Sequence, residues 1–171
     1  YRLAVDEGVR IAASTPAGLF YGVQSLRQLT SVDGAVPATT VVDVPRFEYR
    51  GVMLDVARYF HGLDTVKAYI DRASSLKLNV LHLHLSDDQG WRIEIDAYPR
   101  LTELASGSDM AGGSGGFFTK DDYRAIVAHA ATRHMVVVPE IDTPGHTHAV
   151  SLAYPELSEE PVMLDEMSPS D

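Results

Sequence analysis

Three short stretches gather the side chains able to do chemistry. The first sets Asp55 three residues before Arg58, with Tyr59 and His61 close behind. The second runs His82-Leu83-His84-Leu85-Ser86-Asp87-Asp88-Gln89-Gly90-Trp91-Arg92. The third runs Glu140-Ile141-Asp142-Thr143-Pro144-Gly145-His146-Thr147-His148. Two chemistries suit such groups. Trp91 beside Asp and Arg fits a sugar site, where the ring stacks on the apolar face of a pyranose and polar groups bind its hydroxyls. His82 and His84, two apart on a strand, point the same way, and this is the donor pattern of a metal-dependent hydrolase of the amidohydrolase type.

Each group also has a plainer reading. His82 and His84 read as satisfied interior histidines, with Asp55 as a partner of one of them. Arg58 alone reads as a surface ion pair, Pro144-Gly145 as a turn, Trp91 as core and Asp88 as a turn cap. The glycine-rich loop from Gly107 to Gly116 is no phosphate cradle, because it lacks a Gly-Lys-Ser/Thr ending and no strand leads into it. What chance explains poorly is that all three clusters fall at strand ends.

The pattern of apolar residues supplies those strands. Gly51 to Val56, Asn79 to Leu85 and Met135 to Asp142 are strand candidates, separated by amphipathic helices. The first helix runs from Leu63 to Leu78, with Asp64 as its cap and Val66, Tyr69, Ile70, Ala73 and Leu76 as its apolar stripe. The second opens at a capping box of Thr119 and Asp122, with Tyr123, Ile126, Val127 and Ala130 on one face. This strand–helix alternation predicts parallel βαβ units. Within the strands, Leu81, Leu83 and Leu85 alternate with His82, His84 and Ser86, and Val137, Pro139 and Ile141 with Val138, Glu140 and Asp142. Polar groups on one face would be stranded in a sheet covered by helices on both sides. A barrel interior can pair them, and it opens onto a site at the C-terminal face of the strands.

Ahead of these units, Tyr1 to Val5 and Val9 to Ala13 alternate like strands. Ser14-Thr15-Pro16 starts a helix carrying Leu19, Phe20, Val23, Leu26 and Leu29, and Thr39 to Val42 is β-rich. Pro45 marks a boundary, which places residues 1–45 in a small α/β piece and 46–171 in the repeating units. The final stretch from Glu156 is acidic, without Lys or Arg, and reads as loop or linker.

Composition removes several classes. The chain has 171 residues, with 14 Lys and Arg against 24 Asp and Glu, so a net charge of −10 argues against a binder of nucleic-acid backbone. With no Cys, disulfide scaffolds, thiolate zinc sites and cysteine nucleophiles are excluded. No apolar run approaches the ~20 residues of a membrane span. The start at Tyr1 lacks a basic-then-apolar signal pattern, and both ends read as cut.

The stretches Tyr49 to Phe60, Asn79 to Arg92 and Val138 to Thr147 closely resemble the β-N-acetylhexosaminidases of glycoside hydrolase family 20, in their bacterial form. The resemblance covers nearly the whole chain. It implies a (β/α)₈ barrel of which the first three β/α units are present. Residues 1–45 would be the C-terminal part of the α/β domain before the barrel, and 46–171 the N-terminal part of the catalytic barrel. It implies removal of terminal N-acetylglucosamine or N-acetylgalactosamine from chito-oligosaccharides or glycoconjugates. Configuration would be retained through attack of the substrate's own acetamido oxygen on C1, giving an oxazolinium intermediate. An Asp would orient that acetamido group, and the adjacent Glu would protonate the leaving oxygen and later activate water.

Carried over by motif, Arg58 would bind hydroxyls of the terminal sugar. Asp87 and His146 would influence the orientation and pKa of the general acid. Glu140 and Asp142 would support the site from the third strand. The resemblance implies no cofactor and no metal. Its partner would be an N-acetylhexosamine-terminated oligosaccharide, with neither nucleic acid nor membrane involved. Many bacterial members are secreted.

The chain departs from the family in one respect: the catalytic Asp-Glu pair, expected at the end of the fourth strand, does not follow the third. Asp165-Glu166, in an acidic run with no strand leading into it, is not expected to be that pair. A complete barrel needs ~250 residues, so the remainder of the barrel is required for a working enzyme, and the chain alone is expected to be inactive. The alternatives are a metal-dependent hydrolase using His82 and His84, and a non-catalytic sugar-binding fragment built on Arg58 and Trp91.

Overall fold

A computed structural model describes residues 1–158 of the chain. Asp165 and Glu166 lie outside the described residues.

The chain opens with strands β1 (Arg2–Val5) and β2 (Val9–Ala12), then helix α1 (Pro16–Leu29) and strand β3 (Thr39–Val42). The three strands form an antiparallel sheet in the order β2-β1-β3. Thr15 caps α1 by accepting the Gly18 N–H, with Pro16 in the first turn as the sequence predicts.

The repeating part follows. Strand β4 (Gly51–Asp55), helix α2 (Leu63–Ser75), strand β5 (Val80–His84), helix α4 (Lys120–Thr132) and strand β8 (Val136–Glu140) form parallel β/α units in the sheet order β4-β5-β8. The register aligns Asp55 with His84 and His84 with Glu140. Between β5 and α4 lie two short strands, β6 (Ser86–Asp87) and β7 (Gly90–Trp91), and helix α3 (Arg100–Leu104). Helix α5 (His148–Ala153) and a 3₁₀ turn (Pro155–Leu157) close the described residues.

Most predicted elements are present but end earlier. The α2 candidate extended to Leu78, yet the helix stops at Ser75, with Lys77 in the left-handed region at φ 64°. The Leu78 and Lys77 N–H groups bond back to the Ala73 and Ser74 carbonyls. Helix α4 ends the same way. His134 sits at φ 56°, and the Met135 and His134 N–H groups bond to the Ala130 and Ala131 carbonyls. This is the Schellman ending, here with Lys and His where glycine is usual. The chain is thereby turned from each helix into the next strand. Asp64 is not the cap of α2. Gly62 occupies that position, no side chain caps it, and Asp64 lies in the first turn, where its charge favours the helix dipole. The capping box of α4 is formed: Thr119 Oγ1 accepts the Asp122 N–H at 3.1 Å, and Asp122 accepts the Thr119 N–H at 3.0 Å.

The two faces of the parallel sheet differ as the alternation predicts. Leu81, Leu83 and Leu85 are fully buried against Val66 and Ile70 of α2 and Ile126 and Ala130 of α4. Burying side chains of this size stabilises the unit by roughly 1.5–3 kcal/mol each. The other face carries Met53, Asp55, His82, His84, Val138 and Glu140. Among the described residues no helix covers it, and Met53 remains 51% exposed. Helices on one face and polar groups on the other suit a barrel wall and not a doubly wound sheet.

The small antiparallel sheet docks at the opposite end of the parallel strands from the strand-end clusters. Lys77 Nζ donates to Tyr1 Oη at 2.9 Å and to Asp43 at 3.2 Å. Gln28 of α1 donates to the Ser75 carbonyl at 2.9 Å, and Arg50 donates to the Lys77 carbonyl at 2.9 Å.

Candidate active site

Asp55, the last residue of β4, shapes the loop that follows it. Its Oδ1 accepts the N–H groups of Ala57 and Arg58 at 2.9 and 3.0 Å, a side-chain turn of the kind Asp favours. Its Oδ2 accepts Arg58 Nη1 at 2.8 Å. Arg58 Nη2 reaches Asp87 Oδ2 at 2.6 Å. The guanidinium therefore bridges the ends of the first and second parallel strands, and at 32% side-chain exposure it still faces the opening.

Asp87 is the centre of the cluster. It is 1% exposed, and besides Arg58 its Oδ2 accepts His84 Nε2 at 2.8 Å. Its Oδ1 accepts the Asp88 N–H at 2.7 Å and lies 3.2 Å from His146 Nδ1. The other nitrogen of His84 lies 3.0 Å from Glu140 Oε1. His82 Nε2 is paired with Glu140 Oε2. Asp142 faces His146 at 3.9 Å, and its backbone N–H bonds Ser86 Oγ at 3.2 Å. Asp88 accepts the His148 N–H at 3.0 Å, tying the second strand-end loop to α5.

Arg58, Asp87, His146, Glu140 and Asp142, singled out from sequence, are thus brought into one connected cluster. His146 holds φ 57°, a left-handed conformation uncommon for a side-chain-bearing residue, and is half-exposed at the rim.

The electrostatics follow from these contacts. His84 has a carboxylate oxygen at each ring nitrogen, 2.8 Å from Nε2 and 3.0 Å from Nδ1, an arrangement that favours the protonated ring. Burial by itself would lower its pKa, but the bonds to Asp87 and Glu140 outweigh it and hold the value above the ordinary 6.5. Burial would raise Asp55. The Arg58 side chain and the Arg58 and Ala57 N–H groups reverse that, so it stays ionised below its ordinary range. Glu140 is likewise held low by His84 and His82 against the effect of burial.

Two expectations change. Trp91 is not a sugar platform. It is 5% exposed, packs with Leu101, Ala105, Ala149 and Leu152, and donates its Nε1–H to the Ile93 carbonyl at 2.6 Å. The metal reading of His82 and His84 also fails on geometry. Both His84 nitrogens already lie against carboxylates, at 2.8 and 3.0 Å, so the ring presents no free nitrogen to a cation shared with His82. Asp87, Asp88 and His146 place ligand atoms within 4.8 Å of one another. However, Arg58 already pairs with Asp87, and its positive charge opposes a cation there.

His84 is the satisfied interior histidine that the sequence predicts; strand alternation does not tell which carboxylates satisfy it, and these are Asp87 and Glu140. Arg92, which the sequence places beside Trp91 among polar groups for a sugar, is instead fully buried and bonded to main-chain carbonyls.

Residues 47–170 match the model of glycosyl hydrolase family 20, catalytic domain, and residues 1–44 match glycosyl hydrolase family 20, domain 2. The chain belongs to glycosyl hydrolase family 20. It is 47% identical over 163 residues to a β-N-acetylhexosaminidase of Cellulomonas fimi, a match that takes in 92% of this chain and 33% of that protein. A solved glycoside hydrolase family 20 β-N-acetylglucosaminidase is similar at 63% identity with a TM-score of 0.88, covering 91% of this chain and 33% of that one. The Streptomyces plicatus N-acetyl-β-hexosaminidase in complex with Thio-NAglucal superposes with a TM-score of 0.91 at 48% identity, covering 96% and 36%. The chain therefore spans about a third of the length of these family 20 relatives. Its parallel sheet and helices are the first three β/α units of the (β/α)₈ barrel.

Proposed function

We propose that this chain is part of a family 20 glycoside hydrolase that releases terminal N-acetylglucosamine or N-acetylgalactosamine from oligosaccharides with retention of configuration. In this reading residues 1–45 end the α/β domain before the barrel and residues 46–171 begin the barrel. The remainder of the barrel supplies the Asp that orients the acetamido group and the Glu that moves protons at the glycosidic oxygen. The observation that carries the reading is the Arg58 fork. It is held from behind by two carboxylates and faces the C-terminal opening, where sugar hydroxyls would meet its remaining donors.

The roles divide by exposure. Arg58, partly open, binds hydroxyls of the terminal sugar. Asp87, closed off, aligns Arg58, and with His146 it sets the field near the incoming general acid. Glu140 fixes His84 against Asp87, and Asp142 steadies His146. A fixed constellation of this kind does its work before substrate arrives, so none of the alignment has to be made in the transition state.

The test is hydrolysis of a chromogenic N-acetylglucosaminide. The full-length protein is expected to turn it over with β-anomeric product, and the 171-residue chain alone is expected to give none. Robust turnover by the chain alone that survives substitution of Asp165 and Glu166 would overturn the reading. So would stoichiometric zinc in the purified protein that is lost in His82→Ala.

A further inference from the structure

Arg92 is the largest fully buried side chain among the described residues, and no carboxylate pairs with it. Its guanidinium is saturated by main-chain carbonyls instead. Nη1 donates to Ser106 at 2.8 Å and Gly116 at 3.1 Å. Nη2 donates to Ala57 at 2.7 Å, Ser108 at 2.7 Å and Gln89 at 3.3 Å, and Nε donates to Ala57 at 3.2 Å. Burial lowers its pKa to about 10, which leaves the charge intact at neutral pH. Asp109 and Asp55 attract it only from beyond ion-pair distance, and a buried cation bonded directly to carbonyls is costly, so its arrangement calls for a reason.

The carbonyls come from three separate segments: the loop after β4, the turn between β6 and β7, and the long loop at 105–118. The first of these carries Arg58. The long loop touches the same place a second time, where the Met110 N–H donates to the Arg58 carbonyl at 2.8 Å. The surroundings are fitted to the guanidinium. A Cβ on Gly90 would lie 2.2 Å from Arg92 Cζ, so only glycine admits it. The Phe60 ring lies 5.8 Å from the guanidinium, and a Cβ on Gly116 would come within 2.4 Å of that ring.

We infer that Arg92 is a positioning residue for the sugar-binding Arg58. By pinning the Ala57 carbonyl to the long loop, it fixes the backbone from which Arg58 reaches Asp55, Asp87 and the substrate. The inference rests on the role proposed above for Arg58. Arg58 is anchored through its side chain by two carboxylates and through its main chain by Asp55 and Met110, while Arg92 holds the Ala57 carbonyl just before it. A fork that must meet hydroxyls in one orientation needs both, since a displacement of ~1 Å at a positioned group can cost ~100-fold in rate.

The test is a double-mutant cycle in the full-length protein, with kcat/KM on a chromogenic N-acetylglucosaminide as the readout. Arg92→Met is expected to lower kcat/KM by about 30- to 100-fold where Arg58 is present. Beside Arg58→Ala it should lower it by less than about 3-fold, because the residue it positions is gone. A purely structural Arg92 would give the same loss in both backgrounds, and equal losses overturn the inference. Arg92→Lys keeps the charge with fewer donors and guards against failure of the Met variant to fold. It should show the same coupling with a smaller loss. If both variants unfold, Arg92 belongs to the fold alone and the inference also falls. Wild-type protein that fails to hydrolyse the substrate would refute the proposed function, a different outcome from hydrolysis without coupling.

Discussion

Replacing Asp87 with Asn preserves the shape of the side chain and removes its charge. The native carboxylate takes Arg58 and His84 on one oxygen, at 2.6 and 2.8 Å, and the Asp88 N–H and His146 on the other. An amide has one oxygen for these four partners, and its NH₂ group must face donors on the other side. Removing one partner of a buried ion pair costs about 3–5 kcal/mol. Two features reduce that figure here: Arg58 is 32% exposed and keeps Asp55 at 2.8 Å, and His84 keeps Glu140 at 3.0 Å. A local destabilisation of about 2–3 kcal/mol remains, equivalent to about 30- to 160-fold in the opening constant of the β5–β7 region. Hydrogen exchange followed by mass spectrometry on the full-length protein measures this directly. Peptides covering 80–92 should exchange faster by that factor, while peptides from 1–42, at the far end of the strands, should not change. Unchanged exchange in 80–92, or an equal increase in 1–42, would refute the reasoning that Asp87 locally clamps the strand ends.

Three further outcomes are expected. The His84 pKa is raised, so its contribution to stability is complete below 6.5 and is lost as pH climbs through the raised folded value. Asp55 and Glu140 are lowered, so theirs is present above 3.8 and 4.5 and is lost on acidification. Thermal unfolding across pH should therefore show the cluster strongest between about 4.5 and 6.5, and His84→Gln should remove the alkaline limb of that profile; an unaltered limb would assign it elsewhere. Trp91→Ala should cost about 3–5 kcal/mol in denaturant unfolding because the ring is core, and Trp91→Phe should leave N-acetylglucosamine affinity unchanged by calorimetry. A large loss of affinity in the Phe variant would return the ring to the sugar pocket. Thr119→Ala should cost about 1 kcal/mol by removing the cap of α4, read as faster exchange confined to the first turn of that helix.

Much of the site was legible because period-2 alternation is a local property. Placing His82, His84 and Ser86 opposite Leu81, Leu83 and Leu85 needs only the sequence and the geometry of a strand. The same holds for Glu140 and Asp142 opposite Pro139 and Ile141. The strand–helix order, the capping box at Thr119 and the single polar face of the sheet were readable for the same reason. The helix ends at Lys77 and His134 were less so, because the usual glycine is absent and the left-handed turn is imposed by the packing of Leu78 and Met135 behind it.

What the sequence determined alone was which residues share a strand face and which family motif they form. Only the tertiary structure decided where charge and burial meet. Trp91 and Arg92 are neighbours in a motif that reads equally well as surface or core. Their burial depends on α5 and on the loop at 105–118, which approach from distant parts of the chain. His84 meets Glu140 because the β5–β8 register sets them side by side, while Asp87 reaches it from three residues along the same segment. Register is a relation between strands, and no single strand's sequence contains it.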